Sequence, residues 1–185
     1  MYAFIAIVVV LIIVVWWISK VNSFRRLKIA IQEAWSGIDV QLKRKANIIP
    51  NLVDTLKMQM NFESGVLTEL TAARSGLISG DHAEAMAAND RISAMLPQIR
   101  ATAENYPELG TNQSFLKLME DIRDCEDKIT YARNRYNMTV AKFNMDIVMI
   151  PGNIVAASMK LQPETMFEIS AQRREDADNM RISNL

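Results

Sequence analysis

The chain contains one histidine and one cysteine, and neither belongs to a pattern that predicts a reactive or metal-binding site. His82 has no glutamate three residues before it, so it lacks the Glu-x-x-His spacing of di-metal helical bundles. Cys125 falls on a predicted apolar stripe, where a thiol behaves as a small hydrophobic group without a nearby histidine to activate it. A glycine-rich phosphate loop, a nucleophile elbow and a dinucleotide fingerprint are also missing. These absences predict a protein that is not an enzyme and that binds no metal or cofactor.

Glycine and proline are scarce, with six and five residues, and most of them stand between periodic apolar segments. This composition is typical of a helical protein. Neither sign of charge is in excess, since the chain has 21 basic and 21 acidic residues. The balance gives no electrostatic reason to expect nucleic acid as a partner. A single cysteine cannot form an internal disulfide, so nothing in the sequence requires an oxidising compartment.

The most prominent feature that is present is an uncharged apolar run, Met1–Ile18. As a helix it rises roughly 27 Å, close to the ~30 Å hydrocarbon thickness of a bilayer. A secretory signal peptide is the alternative, but the run has no basic residues before it and is longer than the usual apolar region. No small-residue cleavage site follows it either. We therefore predict a transmembrane anchor over residues 1–20.

Aromatic residues lie at both ends of the apolar run and basic residues follow it, as at the membrane interfaces of single-pass proteins. The positive-inside rule places the N-terminus outside and the large domain in the cytoplasm. We expect the cell inner membrane as the location. The basic residues either contact anionic headgroups or only fix this topology. The candidates for contact with the phospholipid bilayer are Trp16, Trp17, Lys20, Arg25, Arg26 and Lys28.

Apolar residues keep a seven-residue repeat over residues 21–77, and the register is the same before and after Pro50. We therefore expect one long helix, with or without a kink near 47–50, that continues from the anchor as one rod. Asp81 and Glu84 predict a capping box for a second helix over 81–106. Its predicted buried stripe is Ala85, Ala88, Ile92, Met95, Ile99 and Tyr106.

A third helix is predicted over 112–150, followed by a short helix over 153–160 after Pro151-Gly152. Its length favours antiparallel packing against the first helix. The fold class is thus all-α, with a transmembrane helix (1–20), an elongated antiparallel bundle of three long helices (21–168) and a polar, C-terminal helical tail (169–185). The predicted buried stripe of the third helix is Phe115, Ile122, Ile129, Tyr136, Phe143 and Ile150.

Several polar residues fall on or beside these stripes, and a buried charge needs a partner. Lys45 and Glu63 occupy core columns of the first helix, and Glu126 and Arg133 lie seven residues apart on one face of the third. One interpretation is that Glu63, Glu126 and Arg133 form internal ion pairs that fix the helix register, and we prefer it. The other is that these residues form a polar interface with another subunit.

Sequence motifs along most of the chain resemble those of the LemA family. They are Trp35–Lys45, Ile48–Val53, Glu63, Arg74, Glu104–Leu109, Glu126, Ala132–Arg133, Tyr136–Asn137, Phe143–Asn144, Pro151 and Ile154–Ala156. Phe62 and Ile150 depart from the family pattern, which often has His and Phe at these positions. The candidates for polar core or interface positions are then Lys45, Glu63, Arg74, Glu126, Arg133, Asn137 and Asn144.

The resemblance implies a short extracytoplasmic N-terminus, one membrane helix and an elongated antiparallel bundle, and it implies no enzymatic activity. A related magnetosome-membrane protein suggests a part in organising membranes, by analogy only. We therefore expect a membrane-anchored, non-enzymatic scaffold that self-associates into a homo-oligomer at the cytoplasmic face and organises or shapes membranes or membrane complexes. The alternative is an adaptor that binds another membrane protein or a membrane protease.

Overall fold

The computed structural model describes residues 1–58 and 64–167, and within them every regular element is a helix. The elements are α1 (Tyr2–Met58), α2 (Ser64–Leu77), α3 (His82–Glu104), α4 (Pro107–Gly110), α5 (Gln113–Val148) and α6 (Gly152–Ser158). The predicted all-α class is confirmed. The predicted tail (169–185) and Glu63 lie outside the described residues.

Helix α1 runs without interruption from the apolar N-terminal run through Pro50 to Met58. The predicted continuation of the anchor into the first bundle helix is therefore confirmed. The apolar part of α1 is long and apolar enough to cross a membrane, and none of it is buried within the protein. Whether α1 and α2 form one helix, as the heptad pattern predicts, depends on residues 59–63, which are outside the described part.

The chain divides into two compact units. Unit 1 consists of Met1–Ser36 and Ala132–Met166, and unit 2 is built from Gly37–Tyr131. In unit 1 the rings of Phe24 and Phe143 meet edge to face with centroids 6.1 Å apart, and those of Trp35 and Tyr136 at 6.2 Å. Residue numbers rise along α1 as they fall along α5, so the two helices are antiparallel there, as predicted.

Unit 2 buries the second part of α1 against α2, α3 and the first part of α5. Asp81 caps α3, because its carboxylate accepts a hydrogen bond from the backbone N–H of Glu84 at 2.8 Å, as the capping prediction requires. Gly76 lets α2 approach α3 closely, since a Cβ atom there would lie 2.7 Å from Cβ of Ala88. Core residues without exposed surface include Ile38, Leu42, Leu52, Leu56, Leu70, Leu77, Ile92, Ile99 and Ile122.

The predicted stripes are buried except at their C-terminal ends. Tyr106 and Ile150 were expected in the core, and both expectations are wrong. Helix α3 ends at Glu104, and Tyr106 lies beyond it, 37 % exposed. Helix α5 ends at Val148, and α6 leaves it at an angle of 92°, so Ile150 falls in the bend and is 82 % exposed.

A buried polar cluster as the candidate functional site

Lys45 is completely buried in unit 2, on the face of α1 that carries the apolar core residues of the helix. Its ammonium group donates hydrogen bonds to Oδ1 of Asn89 at 2.7 Å and to Oγ of Ser93 at 3.3 Å. It also forms an ion pair with the carboxylate of Glu126. We call these four residues the Lys45 cluster. It joins α1, α3 and α5 around one buried positive charge.

The Lys45 cluster supplies the partners that a buried ammonium group needs. Such a group has three donors and no acceptor, and the cluster provides a carboxylate, an amide oxygen and a hydroxyl oxygen. The hydroxyl of Ser93 lies 2.6 Å from Oε1 of Glu126, so it also serves the carboxylate, whose side chain is 17 % exposed. A paired and hydrogen-bonded charge avoids most of the penalty of desolvation. The cluster therefore fixes the register of three helices.

Sequence reasoning identified Lys45 and Glu126 as inward-facing but not Asn89 and Ser93. Asn89 is 1 % exposed and sits three residues before Ile92, on the side of α3 that carries the apolar stripe. This three-residue spacing from Ile92 was the sequence signal that could have identified Asn89 as buried. The preferred ion pairs were among Glu63, Glu126 and Arg133, whereas the structure pairs Glu126 with Lys45. Glu126 thus has an internal partner in Lys45, Glu63 lies outside the described residues, and the predicted pairing of Glu126 with Arg133 stays a prediction.

Arg74 completes the hydrogen bonding of α1 at its proline. A helical carbonyl normally accepts from the N–H four residues later, but for Ala46 that residue is Pro50, which has no N–H. Nε–H of Arg74, on α2, donates to the carbonyl oxygen of Ala46 at 2.8 Å. This bond explains why a motif arginine on α2 accompanies a proline inside α1.

A second, exposed ion-pair group lies between α1 and α5 of unit 2. The guanidinium of Arg44 contacts Asp121 at 3.1 Å and Asp124 at 2.7 Å, and Lys128 also donates to Asp124 at 2.8 Å. The hydrogen bond from Lys128, and after it the one from Arg44, lowers the pKa of Asp124. Sequence reasoning did not single out these residues, because surface charges on helices are common.

The polar candidates of unit 1 lie on the last part of α5. The amide of Asn144 donates to the carbonyl of Glu164 at 2.8 Å and accepts from its N–H at 2.9 Å. Tyr136 donates its hydroxyl to the carbonyl of Thr165, and burial raises the pKa of this phenol. Arg133 is buried and Asn137 is half-buried. Asn144 and Tyr136 therefore hold the segment after α6 against α5.

The membrane-surface candidates lie on the first part of α1. Arg25 and Arg26 are exposed, and Trp16, Trp17 and Lys20 are partly exposed. Lys28 is engaged within unit 1, since its Nζ lies 3.9 Å from Oε1 of Glu164 and 6.0 Å from the ring centroid of Phe143. The Lys28 side chain is still 51 % exposed, so Arg25, Arg26 and Lys28 are all accessible to headgroups.

The Lys45 cluster borders a cleft of about 600 Å³ between α3 and α5, because Ser93 and Glu126 are among its lining residues. Its other residues are mainly apolar with two guanidinium groups: Leu96, Pro97, Phe115, Leu116, Met119, Arg100, Arg123 and Glu120. Cys125 is buried, and desolvation raises the pKa of its thiol, which disfavours the nucleophilic thiolate. Chemically, the cleft is suited to hold an apolar segment that carries a charged group.

Comparison with known proteins agrees with the sequence motifs. The LemA family model matches residues 34–181, which include the Lys45 cluster and Arg74. Protein LemA of Metamycoplasma hominis is 28 % identical over 170 residues, which cover 91 % of this chain and 78 % of that protein. The pairwise alignment covers most of both chains. The residues matched by the family model include the second part of α1 and all the later helices. The chain therefore belongs to the LemA family.

Proposed function

We propose that this protein is a non-enzymatic scaffold, anchored in the bacterial inner membrane by the first part of α1, that self-associates at the cytoplasmic face. In this role it organises or shapes the membrane or its complexes. The observation that carries the proposal is the continuous α1, whose apolar run buries no surface within the protein and enters the bundle without a break. Exposed apolar area of this extent is stable only in a lipid or protein environment.

Self-association is supported by an exposed apolar surface on α5. Met138 and Met145 are seven residues apart, hence on the same face of the helix, and are 74 % and 53 % exposed. Methionine side chains adapt readily to partner surfaces. Copies held by the same anchor present this methionine pair at the same height above the membrane, which raises its effective concentration.

The test is the mass of the full-length protein in detergent, measured by native mass spectrometry over a range of concentrations. We expect a multiple of the 21.0 kDa chain for the wild type. Met138→Glu places a charge in the contact and is expected to shift the distribution towards the monomer. Gln113→Glu adds the same charge at an exposed position at the start of α5 and is expected to leave the mass unchanged. A wild type that is monomeric at every concentration contradicts the proposal.

The α3–α5 cleft favours the second candidate function, an adaptor for another membrane protein or a membrane protease. An apolar floor bordered by charged groups of both signs, among them Arg100, Arg123 and Glu120, fits an amphipathic segment. Leu116, which is 50 % exposed at this cleft, is the residue to change. If mild crosslinking in membranes yields a stoichiometric foreign partner that Leu116→Glu removes and Met138→Glu does not, the adaptor is favoured over the scaffold.

A further inference from the structure

The bend between α5 and α6 exposes a continuous group of apolar side chains. Val148, Met149, Ile150 and Ile154 are each more than half exposed, and Ile150 is the most exposed at 82 %. We call these four residues the α5–α6 corner. Large aliphatic side chains at this density on a bend are unusual on a surface that faces only water.

The α5–α6 corner lies close to the end of the anchor. Phe24 is six residues beyond Ile18, which corresponds to about 9 Å along α1. The ring of Phe24 packs on Phe143 near the end of α5, and a Cβ at Gly152 would lie 3.8 Å from Cζ of the same ring. The start of α6 is therefore level with the first turns of α1 after the apolar run.

Charge around the corner is suited to an anionic surface. Between Lys142 and Lys160 the only carboxylate is that of Asp146, and both lysines are exposed. The carboxylate of Glu164 also lies in this unit, 3.9 Å from Nζ of Lys28, which offsets its charge. On α1, Arg25 and Arg26 are exposed at the same level, and no acidic residue precedes Glu33. An apolar group with basic residues around it is typical of segments that lie in the membrane interface.

We propose that the α5–α6 corner is a second membrane contact, which inserts its four apolar side chains into the boundary between headgroups and acyl chains. The occupant of this surface is the phospholipid bilayer, because the corner lies beside the end of the membrane helix and its surroundings are basic. The inference depends on the anchoring proposed above. Since bundle and anchor both contact lipid, the corner fixes the angle at which α1 leaves the membrane.

The experiment is site-directed spin labelling of the full chain in vesicles of phosphatidylcholine and phosphatidylglycerol. Labels are placed with Ile150→Cys at the corner, Val10→Cys in the anchor and Ala87→Cys at an exposed position of α3, away from the methionine pair of α5. Native Cys125 is buried and is expected to stay unlabelled, and wild-type protein taken through the same labelling is the control. Oxygen concentrates in the bilayer, whereas a charged nickel chelate stays in water, so their collision rates report the environment of each label.

At positions 10 and 150 we expect frequent collisions with oxygen and few with nickel, and at position 87 the reverse. A label at 150 that meets nickel freely while position 10 remains in lipid overturns the corner contact but leaves the anchor intact. Protection of position 150 from both reagents indicates a protein cover, such as a second copy, and also overturns the lipid assignment. If position 10 meets nickel, anchoring and corner contact both fail. Ile154→Cys is the second label if Ile150→Cys loses helicity.

Discussion

Removing one partner of the Lys45–Glu126 pair is expected to destabilise unit 2 strongly. Removing both is expected to cost much less than the sum of the two single losses. Glu126→Leu removes the carboxylate that pairs with a completely buried ammonium group, and the expected loss is roughly 3–5 kcal/mol. Lys45→Met leaves a carboxylate that is partly exposed and keeps the Ser93 hydroxyl, so the expected loss is about 1–3 kcal/mol.

In the double variant both charges are gone and apolar side chains of similar volume occupy the site. The two single losses should therefore exceed the double loss by roughly 2–3 kcal/mol, the upper end for neighbours in one network. The assay is urea unfolding of the full chain in detergent, followed by circular dichroism at a helical wavelength. Lys43→Met is the matched control, since Lys43 is exposed and pairs only with Asp39 one turn earlier on the surface.

The control should change the free energy of unfolding by less than about 0.5 kcal/mol. If the effects of Lys45→Met and Glu126→Leu add within about 0.5 kcal/mol, the two side chains do not interact, and the reasoning is refuted. If either single variant is as stable as the wild type, the expectation that each charged side chain needs its partner is refuted.

Three further predictions concern backbone and core. Arg74→Leu is expected to lower the free energy of unfolding by about 1–3 kcal/mol in the wild type. The loss should be smaller in a Pro50→Ala background, because the restored N–H of residue 50 donates to the same carbonyl of Ala46. Equal losses in both backgrounds contradict the role of Arg74. Gly76→Ala is expected to cost about 1–3 kcal/mol through its clash with α3, whereas Gly37→Ala, with open space around it, is expected to stabilise by about 0.5–1 kcal/mol. Since burial raises the pKa of Cys125, the thiol should resist a thiol reagent near pH 8 until urea unfolds the chain; rapid labelling of the native protein argues against its burial.

The heptad pattern predicted most of the core of α5, because each seventh residue returns to the same face of a helix. Phe115, Ile122 and Phe143 are buried as that rule requires. The rule failed at Ile150, where a proline follows and the chain bends, so the periodicity no longer describes a helix face. Periodicity predicts which face is apolar, but the end of the helix decides where that face stops.

The candidate site could be predicted only in part. Lys45 and Glu126 stand out because a charge on an apolar stripe is rare, but their pairing depends on how α1 and α5 pack. Asn89 and Ser93 are short polar residues that are common on helix surfaces, so their type gave little signal. The hydrogen bond from Arg74 to the carbonyl of Ala46 joins positions 28 residues apart, so no local sequence pattern predicts it.

The Lys45 cluster also sets an order of events during synthesis. Lys45 leaves the ribosome first, Asn89 follows 44 residues later and Glu126 81 residues later. At about 5–20 residues per second, the lysine waits roughly 4–16 s for its counter-ion, while the apolar run before it is already available for membrane insertion. Until Glu126 has been synthesised, the charge of Lys45 is more stable in water. Its hydration therefore opposes entry of this part of α1 into lipid and its burial before α5 is complete. Translation of the middle of α5 is therefore the step that permits unit 2 to close.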